Sequence, residues 1–186
     1  MSVVLRPNIH PSRVYPVTFL SSLAVSDTIT HITGLSPTLK WPNDVLIDTR
    51  KVCGTLLEIS TEADIIRFVV VGIGLNINMN TQEIDESIKN KATSMYIETN
   101  KTYERAYVCG VLLSNLGKYY SIFLEKGEHE ICSIWEKRAQ IKGRHIEINQ
   151  MGDTFEGISE GIDASGAMLL NVGGTVKKII AGDVSF

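Results

Sequence analysis

Three short segments carry the residue types from which a binding or reacting site is built. The first is Lys40-Trp41-Pro42-Asn43-Asp44. Proline fixes its own φ and biases the residue before it toward extended backbone. Asn43 and Asp44 therefore leave a stiff corner, able to offer an amide and a carboxylate with little freedom left to lose. The same residues also spell an ordinary Pro-Asn-Asp turn. The second segment is Lys51-Val52-Cys53-Gly54. A lysine at a polar turn is usually a solvated charge. Gly54 early in a strand is more telling, because strand glycines mark close approach of a ligand or another backbone. An ammonium three residues before that opening can neutralise phosphate or carboxylate charge. The third segment is Val71-Gly72-Ile73-Gly74-Leu75-Asn76-Ile77-Asn78. Gly72 and Gly74 remove side chains near the end of an apolar strand, which suits a ligand floor or, equally, a β-bulge or bend. A dinucleotide-binding reading fails, since position 77 is Ile and no helical pattern follows at once.

Other chemistries are poorly served. His10, His31, His129 and His145 fall in different segments, and Cys53, Cys109 and Cys132 form no CxxC pair. Neither a zinc site nor a disulfide framework is expected, and a reduced cytoplasmic setting follows. No Gly-x-Ser-x-Gly elbow or phosphate-binding loop of the Walker type occurs. A net charge of −3 leaves no general footprint for DNA. The longest apolar run, Phe68 to Ile73, is too short to cross a membrane. The first residues lack the order of a signal peptide.

The elements that must position these segments can be read from periodicity. Ser2–Leu5 reads as a strand. Pro16 to Ile32 has helical apolar spacing, and Gly34 stands where a helix stops. Leu39–Trp41 starts a strand that Pro42 interrupts, and Val45–Ile47 forms another. Asp48–Lys51 reads as a hairpin turn, Val52–Ser60 and Ile65–Gly74 as strands, and Glu62-Ala63-Asp64 as the turn between them. The continuous run Phe68–Ile73 predicts a strand buried on both faces. Asn76–Lys101 is polar and irregular, with a short helix near Glu83–Ile88. Tyr107–Phe123 is the clearest helix, with Thr102 as N-cap, and Glu130–Ala139 is a second. After Lys142, Arg144–Ile148, Thr154–Ile162, Ala167–Asn171 and Thr175–Ile180 are β-like runs separated by turn residues, which predicts a small barrel. The boundary falls near 140–143, dividing the chain into 1–139 and 140–186. Trp41 and Trp135 are expected in the core or a pocket wall.

Taken together and in order, the three segments resemble the biotin protein ligase family. The tail adds Trp135-Glu136-Lys137, Phe155 to Asp163, Gly166-Ala167-Met168-Leu169-Leu170 and Ala181-Gly182-Asp183-Val184-Ser185. The resemblance covers essentially all 186 residues. It implies an α+β fold: a mixed sheet packed with helices, as in class II synthetases, followed by an SH3-like β-barrel. It implies an ATP-dependent activation of biotin to biotinyl-5′-AMP, then transfer to a lysine of a biotin carboxyl carrier domain. Carried over by position, Lys51 would be catalytic and would touch both biotin's carboxylate and the α-phosphate. Gly54 and Gly72 would floor the biotin site, with Leu56 beside the valeryl chain. Asn43, Asp44 and Asn76 would face ATP, and Asp44 would orient Lys51 or a Mg²⁺. The family's Gly/Arg-rich loop would lie just before Ser2, and the catalytic unit is expected to be incomplete at that end. The expected activity is therefore impaired or dependent on a missing segment. A non-catalytic module that keeps carrier-binding or oligomerising surfaces is the alternative. A homodimer through the sheet is possible within the resemblance, and no membrane or DNA partner is expected.

Overall fold

The computed structural model describes residues 1–62, 64–150 and 152–185. Its first helix, α1 (Val17–Thr33), starts after Pro16 and ends on left-handed Gly34, whose N–H bonds the Thr30 carbonyl. The helix is buried along nearly its whole length, although it is rich in Ser and Thr. Its hydroxyls are satisfied within the helix: Ser21, Ser22 and Thr28 donate to the carbonyls of Val17, Phe19 and Ala24. A buried polar group costs little once bonded, so the sequence can run through the core.

Around α1 lie β1 (Ser2–Leu5), β2 (Thr38–Lys40), β3 (Asp44–Ile47), β4 (Arg50–Glu62) and β5 (Ile65–Leu75). They form one sheet in the order β1-β5-β4-β3-β2, with every pairing antiparallel. A parallel link appears only as the isolated bridge Lys51–Ala92, among the described residues. Helix α1 packs on one face of β4 and β5 and is itself backed by α3 (Arg105–Lys126) and α4 (Glu128–Ala139). A short helix, α2 (Met95–Thr99), lies in the stretch expected to be irregular, and a 3-10 turn forms at Glu86–Ile88.

Three expectations need correction. The run Phe68–Ile73 is not buried on both faces: Val69, Val71 and Ile73 are buried while Phe68 is exposed. Only one face of the sheet is covered by helices, so pleat alternation decides burial despite the uniform apolar composition. Helix α3 is capped at Glu104, which makes no side-chain cap bond, and not at Thr102. Register is continuous through Gly72 and Gly74, so no bulge explains them; the irregularities fall at Ser60/Thr61 and Val45/Leu46. The turn expected at 62–64 includes Ala63, which lies outside the described residues.

The second sheet is antiparallel, in the order β10-β6-β7-β8-β9. Its strands are β6 (His145–Gln150), β7 (Asp153–Ile162), β8 (Met168–Val172), β9 (Thr175–Ile179) and β10 (Asp183–Ser185), the last a strand the periodicity did not reveal. Ile146, Ile148, Met168, Leu170, Ile179 and Val184 fill its interior. This small β domain docks firmly. Trp41 Nε1 donates to the Gly166 carbonyl at 3.0 Å, and Gly166 itself lies against Phe19 and Tyr15; within the larger unit Phe19 stacks on Trp135 with centroids 4.5 Å apart. Both tryptophans are fully buried, as expected.

Candidate functional site

Strand pairing places the sequence-selected residues on the face that α1 leaves uncovered. One row across the sheet reads Lys40–Asp44–Gly54–Gly74, and the next reads Leu56–Gly72–Ser2. Three of these seven positions are glycine, so the middle of the face has no side chains. At Gly72 an added Cβ would meet only Leu56 atoms at 3.6 Å, and at Gly74 only the Gly54 carbonyl at 3.6 Å. Those are ordinary contacts, so packing within the sheet does not demand glycine at either position. What the missing side chains create is space above the sheet.

Gly54 differs. A Cβ there would stand 2.9 Å from both Cε and Nζ of Lys51. The lysine side chain lies directly over the glycine, and its ammonium reaches Asp44 Oδ1 at 2.6 Å. Simple alternation would put residues 51 and 54 on opposite faces. A bulge reverses this: Val45 pairs with Cys53 and Leu46 pairs with Lys51, so Val52 is the extra residue. The inserted residue re-aims Lys51 onto the face that holds Gly54. Asp44 Oδ1 is buried and makes no directional hydrogen bond, so the Lys51 ammonium is what compensates its charge.

The lysine backbone is clasped from the other side. Lys51 N–H donates to the Lys91 carbonyl at 2.7 Å, and Thr93 N–H donates to the Lys51 carbonyl at 2.9 Å. Asn76 fastens the same loop: its Nδ2 donates to the Thr93 carbonyl at 2.9 Å. Asn43 is tied inward, with Nδ2 on the Thr55 carbonyl at 2.7 Å and its own carbonyl accepting from Thr55 N–H at 3.0 Å. One side-chain N–H of each asparagine is therefore committed to the scaffold, which leaves the second N–H and Oδ1 as groups to offer a ligand.

A cleft of about 390 Å³ opens where these parts meet. Lys51, Gly54 and Asn76 line it, together with Ile88, Lys91 and Ala92 from the 78–94 loop. Sequence reasoning missed the last three, because the tract around them has no periodicity to read. Asn43, Asp44, Leu56 and Gly72 do not line this cleft. Asp44, Leu56 and Gly72 continue the same face beside it, where Leu56 is 62% exposed, while Asn43 stands just before β3, bonded to Thr55. Cys53 also borders the cleft, and burial pushes its thiol up to about 12, so it stays neutral there. Among the described residues no group of His, Cys, Asp or Glu side chains is clustered to hold a metal ion.

With this geometry in hand, the chain can be compared with known proteins. Residues 1–76 match the model of the Biotin/lipoate A/B protein ligase family, and residues 142–186 match that of the Biotin protein ligase C terminal domain. The bifunctional ligase/repressor BirA of Bacillus subtilis strain 168 is 33% identical over 184 residues, which is 99% of this chain. This chain spans 57% of that relative's length. The biotin–[acetyl-CoA-carboxylase] ligase of Paracoccus denitrificans is 30% identical across 100% of this chain and 78% of its own. The apo biotin protein ligase of Aquifex aeolicus superposes with a TM-score of 0.84 at 30% identity, covering 99% of this chain and 79% of that one. The same enzyme in complex with biotin and ATP gives a TM-score of 0.79 at 28% identity, over 99% and 77%. The expected α+β fold, including its small C-terminal β domain, is thus the fold of these ligases. Sequence match, fold and order of segments agree along the whole chain, and the protein belongs to the biotin protein ligase family.

Proposed function

We propose that this chain activates biotin with ATP and passes the biotinyl group to a lysine of a biotin carboxyl carrier domain. One observation carries the reading: an ammonium, Lys51, held by Asp44 over a floor without side chains. The reaction joins two anions. A biotin carboxylate oxygen attacks the α-phosphorus, the bond to the bridging oxygen breaks, and pyrophosphate leaves. A cation touching both carboxylate and α-phosphate lowers their repulsion and stabilises the charge that builds on the phosphoryl oxygens. Lys51 fills that role. In the second step the carrier's lysine amine attacks the acyl carbon, AMP departs, and the amine sheds a proton.

Gly54 and Gly72 let the bicyclic ring lie flat on the sheet, and exposed Leu56 covers the valeryl chain. Each methylene so covered contributes about 0.8 kcal/mol. Asn43 and Asn76 each offer the nucleotide an Oδ1 and a second side-chain N–H. A Mg²⁺ bound mainly by triphosphate oxygens and water needs at most one or two carboxylates. Asp44, through the oxygen that Lys51 does not hold, is the carboxylate that would meet such an ion, which when bound would supply charge neutralisation for the leaving pyrophosphate. We take residues 1–139 as the catalytic unit and 140–186 as the β unit. The reaction is placed in the cytoplasm, in keeping with free Cys53, Cys109 and Cys132. A homodimer through the sheet is the assembly proposed.

The exposure of Leu56 and Val4 favours a second reading. A face open to water suits a module that binds a carrier or another copy without catalysis, or one that adenylates slowly because water is not excluded. Pyrophosphate release from ATP plus biotin decides between these readings. Lys51→Ala is expected to lower it by ~10²–10³-fold. A wild-type rate in that variant refutes the assignment, and no release by the unaltered chain selects the binding module.

A further inference from the structure

Four residues of the Lys40–Asp44 corner are tied outward, two to the small β domain and two to β4. Lys40 Nζ donates to Asp183 Oδ1 at 2.9 Å, on β10. Trp41 Nε1 donates to the Gly166 carbonyl at 3.0 Å, in the turn between β7 and β8. Asn43 is bonded to Thr55 through both backbone and side chain. Asp44 holds Lys51. Within five residues the chain thus passes from the β domain, through the sheet, to the ammonium.

The β-domain end of this chain of contacts is rigid. Gly166 has φ +85°, and a Cβ there would come within 2.8 Å of Phe19 and Tyr15. The turn is pressed against α1 and its neighbouring loop, and an Asx bond from Ser165 N–H to Asp163 Oδ1 braces it at 2.8 Å. The Gly166 carbonyl is therefore fixed, and the buried indole that meets it has one donor and one acceptor in reach. A buried Trp N–H must find an acceptor, but here the acceptor belongs to the unit that packs on the far side of the corner.

We propose that Trp41 is a positioning residue: its bond to Gly166 uses the small β domain as a brace that fixes the corner and, through Asn43 and Asp44, sets the place of the Lys51 ammonium. The effect on biotin rests on the function proposed above for Lys51. The effect on the backbone does not.

Two measurements test this separately. In Trp41→Phe, exchange of the Thr55 amide, which is bonded to the Asn43 carbonyl, quickens by about tenfold, while the Leu112 amide in α3 is unchanged. Biotin affinity, measured by calorimetry, weakens by about tenfold in the otherwise native protein and does not change further in a Lys51→Ala background. Lys40→Ala, which leaves the core intact, gives the same pattern at about two- to threefold and decides the matter if Trp41→Phe does not fold. Equal acceleration at Thr55 and Leu112 means general destabilisation and overturns the proposal, as do additive effects of Trp41→Phe and Lys51→Ala on biotin. If the native chain binds no biotin, the function proposed above fails, and amide exchange alone decides the positioning role.

Discussion

Gly54→Ala separates the fold from the site. The added methyl would stand 2.9 Å from Lys51 Cε and Nζ and 3.5 Å from Asp44 Oδ1. Relaxed contacts between such atoms lie near 3.5–4.0 Å, so the ammonium must retreat by roughly 0.6–1 Å. The retreat is easy for the fold, because Lys51 is a flexible side chain that is 46% exposed. Gly54 needs no left-handed backbone, and alanine in place of strand glycine offsets part of the loss by about 0.5–1 kcal/mol. Against that, buried Asp44 Oδ1 loses its compensating charge, at a cost of about 1–3 kcal/mol. The net change in stability is about 1–2 kcal/mol, or a fall in Tm of roughly 2–8 °C for a chain of this size. Binding suffers more. A charge-assisted bond to biotin's carboxylate is worth about 1.5–3 kcal/mol, which corresponds to a loss of affinity of about 10–10²-fold. Calorimetry with biotin and thermal unfolding of the same sample report both quantities. Native affinity in a folded Gly54→Ala protein would show that Lys51 need not occupy the space above Gly54, and the site as built here would be wrong.

Two further outcomes follow from the same geometry and from the charge network. Gly72→Val should leave Tm within a few degrees, because that position has only ordinary neighbours, but should weaken biotin by at least about tenfold by filling the floor; unaltered calorimetric affinity would remove Gly72 from the site. Asp27 tests the scaffold. Burial alone would raise its pKa, but hydrogen bonds from Arg138 and Tyr119 and the charges of Arg138 and Lys118 outweigh burial and hold it below the ordinary value. A carboxylate with a depressed folded pKa stabilises the protein above about pH 4, and that stability is lost as pH falls through the folded pKa. Asp27→Asn should therefore cost about 1 kcal/mol at pH 7, discounted because its cationic partners are partly exposed, and the difference should shrink as pH falls through the folded pKa. Urea unfolding at pH 7 and at successively lower pH checks it, and a cost that is independent of pH would mean that packing, not charge, is what Asp27 supplies.

Much of this molecule was legible before any coordinates. The strands at Ser2–Leu5 and Val45–Ile47, the helix ending at Gly34 and the runs after Lys142 were placed by periodicity and by turn residues, because those signals are local. So were the three candidate segments, whose order carried the family resemblance. The Phe68–Ile73 run shows where local reading fails: uniform apolar composition cannot say that helices cover only one face of the sheet. Lys91 and Ile88 were invisible for a related reason. The loop that carries them is held by bonds to Lys51 and Asn76, which are distant in sequence.

Composition and spacing by themselves put Lys51 at a turn, Gly54 early in one strand and Gly72 and Gly74 near the end of another, and marked Pro42 as a rigid corner. They could not bring Lys51 and Gly54 to one face, since three residues of regular strand separate faces. Only pairing with β3 forces Val52 out as the extra residue of a bulge and turns the lysine over. The sequence likewise marked Trp41 as a core residue, while its donor finds Gly166, 125 positions away, only after two domains pack. Local chemistry is written in neighbouring residues. Which face a charge occupies, and what braces it, depends on register and docking, and those are settled when distant strands meet.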